Sequence, residues 1–147
     1  MEVLAYEGPD GELTLNPSLE RICAFLGEGA DYWEGGSGSA YIGWIKQNGT
    51  GYSNVWERPA LHLIVHKPHG IHLRYQIMNY RPHTSSIKLI IDGEIRVDAP
   101  IEHYLGGEPE CLPQSSFVSQ EVAVRVITDF LQTGQPSASV AWKPQRA

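Results

Sequence analysis

At 147 residues with 41% apolar and 19% charged side chains, the chain has the size and composition of one folded domain and excludes wholesale disorder. A formal net charge of −6 excludes general nucleic-acid binding, which needs a basic patch to neutralise phosphates, and favours a basic partner over an acidic one. No stretch approaches the roughly 20 apolar residues that span a bilayer.

The opening MEVLAYEGPDGEL carries acids where a secretory signal would carry basic residues and then an apolar run, so a cytoplasmic location is expected. Residues 2–6 and 12–15 read as a hairpin around Pro9-Asp10-Gly11. Asn16 is placed as an N-cap before Pro17, and Leu19, Ile22, Cys23 and Leu26 form an apolar stripe, predicting a helix over 17–26 that Gly27 ends. Residues 31–40, DYWEGGSGSA, are too glycine-rich for a regular element and are read as a flexible loop.

Five strands are expected next, over 41–46, 60–66, 71–78, 87–92 and 94–98, with Asn48-Gly49 and Asp92-Gly93 as tight turns. Alternation directs Leu61, Leu63 and Val65, and then Ile71, Leu73 and Tyr75, to one face, which requires an odd connection of about five residues from His66 to Gly70. His62, Ile64, His72, Arg74 and Gln76 then share the other face, read as polar and partly solvated.

Residues 99–117, with Gly106-Gly107 and three prolines, read as a long loop. Ser119 caps a second helix whose stripe is Ala123, Val126, Ile127, Phe130 and Leu131, closed by Thr133-Gly134, and residues 138–142 form a last strand. Phe130 and Trp142 are assigned to the core. The expected fold is α+β over residues 1–147 as a single domain: a mostly antiparallel sheet with two helices on one face.

Chemistry is sparse. Cys23 and Cys111 form no CxxC pair and suit a reducing compartment; Cys23 lies on the helix stripe and Cys111 in the long loop. GGSGS at 35–39 lacks the Lys-Ser/Thr ending and following helix of a phosphate loop, and Ser37 and Ser39 have no base beside them. Glu108 and Glu110 flank Pro109 and are read as solvated. His62, His66 and His72 could approach one another as metal ligands, yet Arg74 beside them disfavours a cation and no Asp, Glu or Cys of their strands joins them. No catalytic residue, metal or cofactor is therefore assigned.

The run CLPQSSFVSQEVAVRVITDFLQTGQPSASVAW (111–142) reads as proline, polar spacer, helix with Ala123 and Phe130 inward, Thr-Gly, then a strand ending in Trp142. This resembles the close of the Imm-one family of immunity proteins from bacterial polymorphic toxin systems; elsewhere the likeness is of layout alone. The resemblance implies a non-enzymatic protein that occludes a cognate toxin, which in such systems is often nucleic-acid-directed, deaminases among them, and basic near its active site.

A contact surface for such a toxin should combine aromatic anchors with acids. Three loops offer both: Asp31, Tyr32, Trp33 and Glu34; Tyr52, Trp56 and Glu57; and Glu102, Tyr104, Glu108 and Glu110. Two other functions remain open: a metal- or ligand-binding protein using His62, His66 and His72, and a carbohydrate or peptide module using Trp33 and Trp56.

Overall fold

A computed structural model describes residues 2–48, 51–56, 58–67, 69–77, 88–93 and 99–144. The chain is α+β. Strands β1 (Glu2–Glu7) and β2 (Leu13–Leu15) form the expected hairpin, followed by helices α1 (Leu19–Leu26) and α2 (Ala30–Trp33). Strands β3 (Ala40–Asn48), β4 (Gly51–Trp56), β5 (Ala60–His66), β6 (Gly70–Gln76) and β7 (Lys88–Ile91) come next. A hairpin, β8 (Pro100–Leu105) and β9 (Glu108–Pro113), leads through a 3-10 turn at Gln114–Ser116 to β10 (Phe117–Val118), helix α3 (Gln120–Thr133) and β11 (Trp142–Pro144).

Among the described residues, nine strands form one antiparallel sheet in the order β11-β7-β6-β5-β3-β1-β2, with β10 on β6 and β4 on β3. The β5–β6 register pairs Leu61 with Tyr75, Leu63 with Leu73 and Val65 with Ile71, so the predicted inward set is the observed one. The connection is shorter than expected, because His66 already pairs with Gly70. Its odd parity is what keeps both apolar sets on one face.

Against that face pack Ile22 and Leu26 of α1, Trp33 of α2, and Ala123, Val126, Ile127 and Phe130 of α3, all in one buried cluster. Burying each large apolar side chain contributes roughly 1.5–3 kcal/mol, so the stripe of α3 alone anchors that helix. Its ends are as read: the Ser119 hydroxyl accepts from the Val122 amide, and Gly134 takes a left-handed conformation (φ 69°). No helix among the described residues is long and apolar enough to cross a membrane.

Several expectations are corrected. The cap of α1 is Ser18, whose hydroxyl accepts from the Arg21 amide, because Asn16 is used elsewhere. Its N–H bonds the Leu4 carbonyl at 2.8 Å and its φ is +48°, so it closes the first hairpin rather than opening the helix. Residues 51–56 are a strand on β3, not a loop. Trp142 is only half-buried, and the last strand starts at 142 because Ser137 and Ser139 form a turn tied to Asp129. Cys23 is likewise only partly buried. The expected strand over 94–98 lies outside the described residues.

The largest correction concerns 99–117. PIEHYL alternates exposed and buried positions, and Gly106-Gly107, both at positive φ, turn it back on β9. Prolines are tolerated because a two-stranded hairpin has free edges. Ile101 and Leu112 of this hairpin pack on Ile64 and Phe117, so it lies over the sheet face opposite the helices. That face is therefore covered, not solvated.

Candidate functional site

Four side chains stand in a row across the covered face, one per strand. Glu7 of β1 is opposite Tyr41 of β3, Tyr41 is opposite His62 of β5, and His62 is opposite Arg74 of β6. Directly opposite residues in a sheet point to the same side, so the four share one surface. Tyr41 and His62 stack with ring centroids 4.5 Å apart.

Under the hairpin the row becomes a buried polar network. His62, His72 and Arg74 are each no more than 3% exposed. Arg74 Nε–H donates to His72 Nε2 at 2.8 Å, which leaves the histidine proton on Nδ1, where it meets Ser116 Oγ at 2.8 Å. The Ser116 hydroxyl donates onward to the Pro113 carbonyl. Arg74 also forms an ion pair with Glu110 of β9. Burial, reinforced by the neighbouring Arg74, holds the His72 imidazole well below the ordinary histidine range.

Both ring nitrogens of His72 are thus engaged, which removes it from the His62, His66, His72 set considered as metal ligands. Among the described residues no three His, Cys, Asp or Glu side chains are grouped to hold a metal ion.

A second set of contacts fixes the hairpin tip. His103 Nε2–H donates to the Gly38 carbonyl at 2.7 Å, and the Gly106 amide donates to the Ser37 carbonyl. On its other side the same loop is held by the Ser37 amide on Pro9. The glycine-rich stretch read as flexible is therefore pinned between two turns. His66 lies between His103 (centroids 5.5 Å apart) and Glu34, with its Nε2 3.6 Å from the carboxylate.

Between the hairpin tip and the row opens a polar cleft of roughly 290 Å³. Among the described residues, Glu7, Tyr41, Arg74 and Glu110 are its ionisable groups besides His62, and Ser39 and Gly106 contribute to the rim. A larger cleft of about 470 Å³ lies beside α3. Asp92 faces Lys143 at 3.9 Å and Ser119 caps the helix.

The three predicted contact loops separate on this frame. Asp31 on α2 and Glu34 at its C-terminal cap are exposed, and Tyr32 is half-buried, its hydroxyl 2.9 Å from that of Tyr6. Trp33 is 1% exposed, with its indole N–H on the Phe25 carbonyl, so it is a core residue and not a contact. Tyr52 and Trp56 belong to β4, which pairs with β3 at the end remote from Tyr41, and Glu57 lies outside the described residues. Glu102, Tyr104 and Glu108 are exposed on the hairpin, with Tyr104 at 55%. Glu110 is not solvated but paired with Arg74. Sequence reasoning omitted Glu7 and Tyr41, although alternation in AYIGW and EVLAYE places both opposite the apolar face.

No protein-family model, curated protein or solved structure matches the chain.

Proposed function

We propose that this chain is an immunity protein, a cytoplasmic inhibitor that binds and occludes a cognate toxin and catalyses nothing itself. The observation that carries the reading is Tyr104. Among the described residues it is one of two exposed large hydrophobic side chains, and it shares the outward face of the hairpin with the exposed acid Glu102. An exposed tyrosine on a hairpin whose inner face is bonded to the sheet is a preorganised anchor, which loses little freedom on binding.

His66 stands between Glu34 and His103 of the hairpin, and Asp31, Glu34, Glu102 and Glu108 are exposed acids. With the overall charge of −6, they suit a partner that is basic around its own substrate site. His72 and Arg74 are used to hold the hairpin in place. Such a toxin would be one that acts on nucleic acid, a deaminase for example, as the resemblance of residues 111–142 implies.

The test is co-expression with the product of the adjacent reading frame. That product is expected to arrest growth alone, to be harmless when this chain is present, and to co-purify with it as a defined complex. Tyr104→Ala should weaken the complex by about tenfold or more with unchanged thermal stability. A neighbour that neither arrests growth nor binds would overturn the reading.

A further inference from the structure

The hairpin tip meets a histidine that is poorly placed to take a second proton. His66 ends β5, and its ring touches His103 of the hairpin with centroids 5.5 Å apart. Its Nε2 lies 3.6 Å from the Glu34 carboxylate, so the neutral ring carries its proton on that side. Nδ1 is buried, and among the described residues it makes no hydrogen bond. A second proton has to go to Nδ1. A buried N–H without an acceptor is costly, the more so on a charged ring.

The neighbours do little to relieve that cost. His69 of the β5–β6 turn stacks on His66 with centroids 5.4 Å apart, and the uncharged Phe117 of β10 closes another side at 6.4 Å. Among the described residues Glu34, at the C-terminal cap of α2, is the carboxylate facing the ring, and it is exposed, where water weakens its pull. Lys67, next in the chain, is exposed, and Glu110, opposite His103 across the hairpin, is committed to Arg74. Burial first, and then His103, hold the proton affinity of His66 below the ordinary histidine value, and Glu34 offsets this only in part.

The cover over this ring is lightly fastened. Two hydrogen bonds tie the tip to the loop before β3, from His103 Nε2–H to the Gly38 carbonyl and from the Gly106 amide to the Ser37 carbonyl. The base of the hairpin is held separately, by Ile101 and Leu112 on Ile64 and Phe117 and by Glu110 on Arg74. Parting the tip from the loop leaves that base in place and admits water to His66.

We propose that His66 is a proton-operated catch for the hairpin tip: a proton taken from solvent at Nδ1 releases residues 103–108, Tyr104 among them, from the Ser37–Gly38 loop, and its loss reseats them. The device belongs to the chain itself and does not depend on what the hairpin binds. The closed tip disfavours the proton and the open tip accepts it near pH 6.5, so closure is favoured above that pH and weakens as pH falls below it. For one histidine the opening equilibrium rises by up to about tenfold between pH 7.5 and 5.5.

Amide exchange at Gly106 reads the catch directly, expressed as protection relative to an unstructured chain so that the intrinsic effect of pH cancels. In the parent, protection should fall by up to about tenfold from pH 7.5 to 5.5. Low urea should not change it, because a local opening exposes little surface. His66→Gln should abolish the pH response, and Glu34→Gln, which removes the facing carboxylate, should deepen it. Constant protection in the parent, a fall as steep in His66→Gln, or a fall that grows with urea as global unfolding does would overturn the catch. So would a response in Glu34→Gln no larger than the parent's, and this exposed substitution decides the matter should His66→Gln fail to fold.

Discussion

Protonating His72 would place a positive charge against Arg74 and break the acceptor bond at Nε2. The folded protein resists that proton, while the unfolded chain takes it up near pH 6.5. A folded-state value below the unfolded one means the unfolded state binds more protons in acid. Stability is then fully present above about pH 6.5 and falls as pH drops below it, by up to roughly 1.4 kcal/mol per pH unit for one histidine. His66 is shifted in the same direction, chiefly by burial and to a smaller extent. Urea unfolding at pH 7.5, 6.5 and 5.5 should show this decline, and His72→Gln should flatten it even though its stability at pH 7.5 is lower. An equally steep decline in that variant would place the effect elsewhere. Alternation made the shared face of His62, His72 and Arg74 legible in the sequence. What it could not supply was the cover above them, since Glu110 and Ser116 reach that face from 36 or more residues further along the chain.

At the scale of elements, the local rules worked where a stripe and a cap agreed, as in α3. They failed where glycine and proline were taken as signs of irregularity. In the hairpin these residues shape a tight turn and tolerate free edges. In the loop before β3, glycine is needed because the backbone passes so close to its neighbours. Gly38 has a φ of +77°, and a Cβ there would overlap the Tyr104 carbonyl oxygen and crowd the His103 ring. Gly38→Ala should therefore destabilise the protein by roughly 2–3 kcal/mol. Amide exchange should rise first in residues 100–113, since the change strikes where the hairpin tip is held. Parental exchange in that segment would show that the Gly38 contact does not secure the hairpin.

For the molecule as a whole, an α+β layout followed from two amphipathic helices and several alternating strands. The sequence did not disclose that the sheet is covered on both sides, by helices on one and by a hairpin on the other. That arrangement sorts the surface charge. The inner positions of the hairpin hold the protein together, and Glu102 and Glu108 are free to act at a distance. Replacing both by lysine should slow association with a basic partner by about tenfold at low ionic strength and much less at high salt. The melting temperature should barely change, because exposed charges contribute little to stability. A loss confined to the dissociation rate would argue that these acids make close contacts and do not steer.

The hairpin leaves the sheet at Ala99 and returns at Gln114, whose amide bonds the Ala99 carbonyl at 3.1 Å. An excursion whose two ends meet can be rewritten without moving the strands on either side. Its inward positions, Ile101, His103, Glu110 and Leu112, are bound to the rest of the molecule, while Glu102, Tyr104, Pro109 and Cys111 face away from it. Mutations at the second set can accumulate at little cost to folding. Such a segment can change its outward residues while the scaffold beneath it stays still.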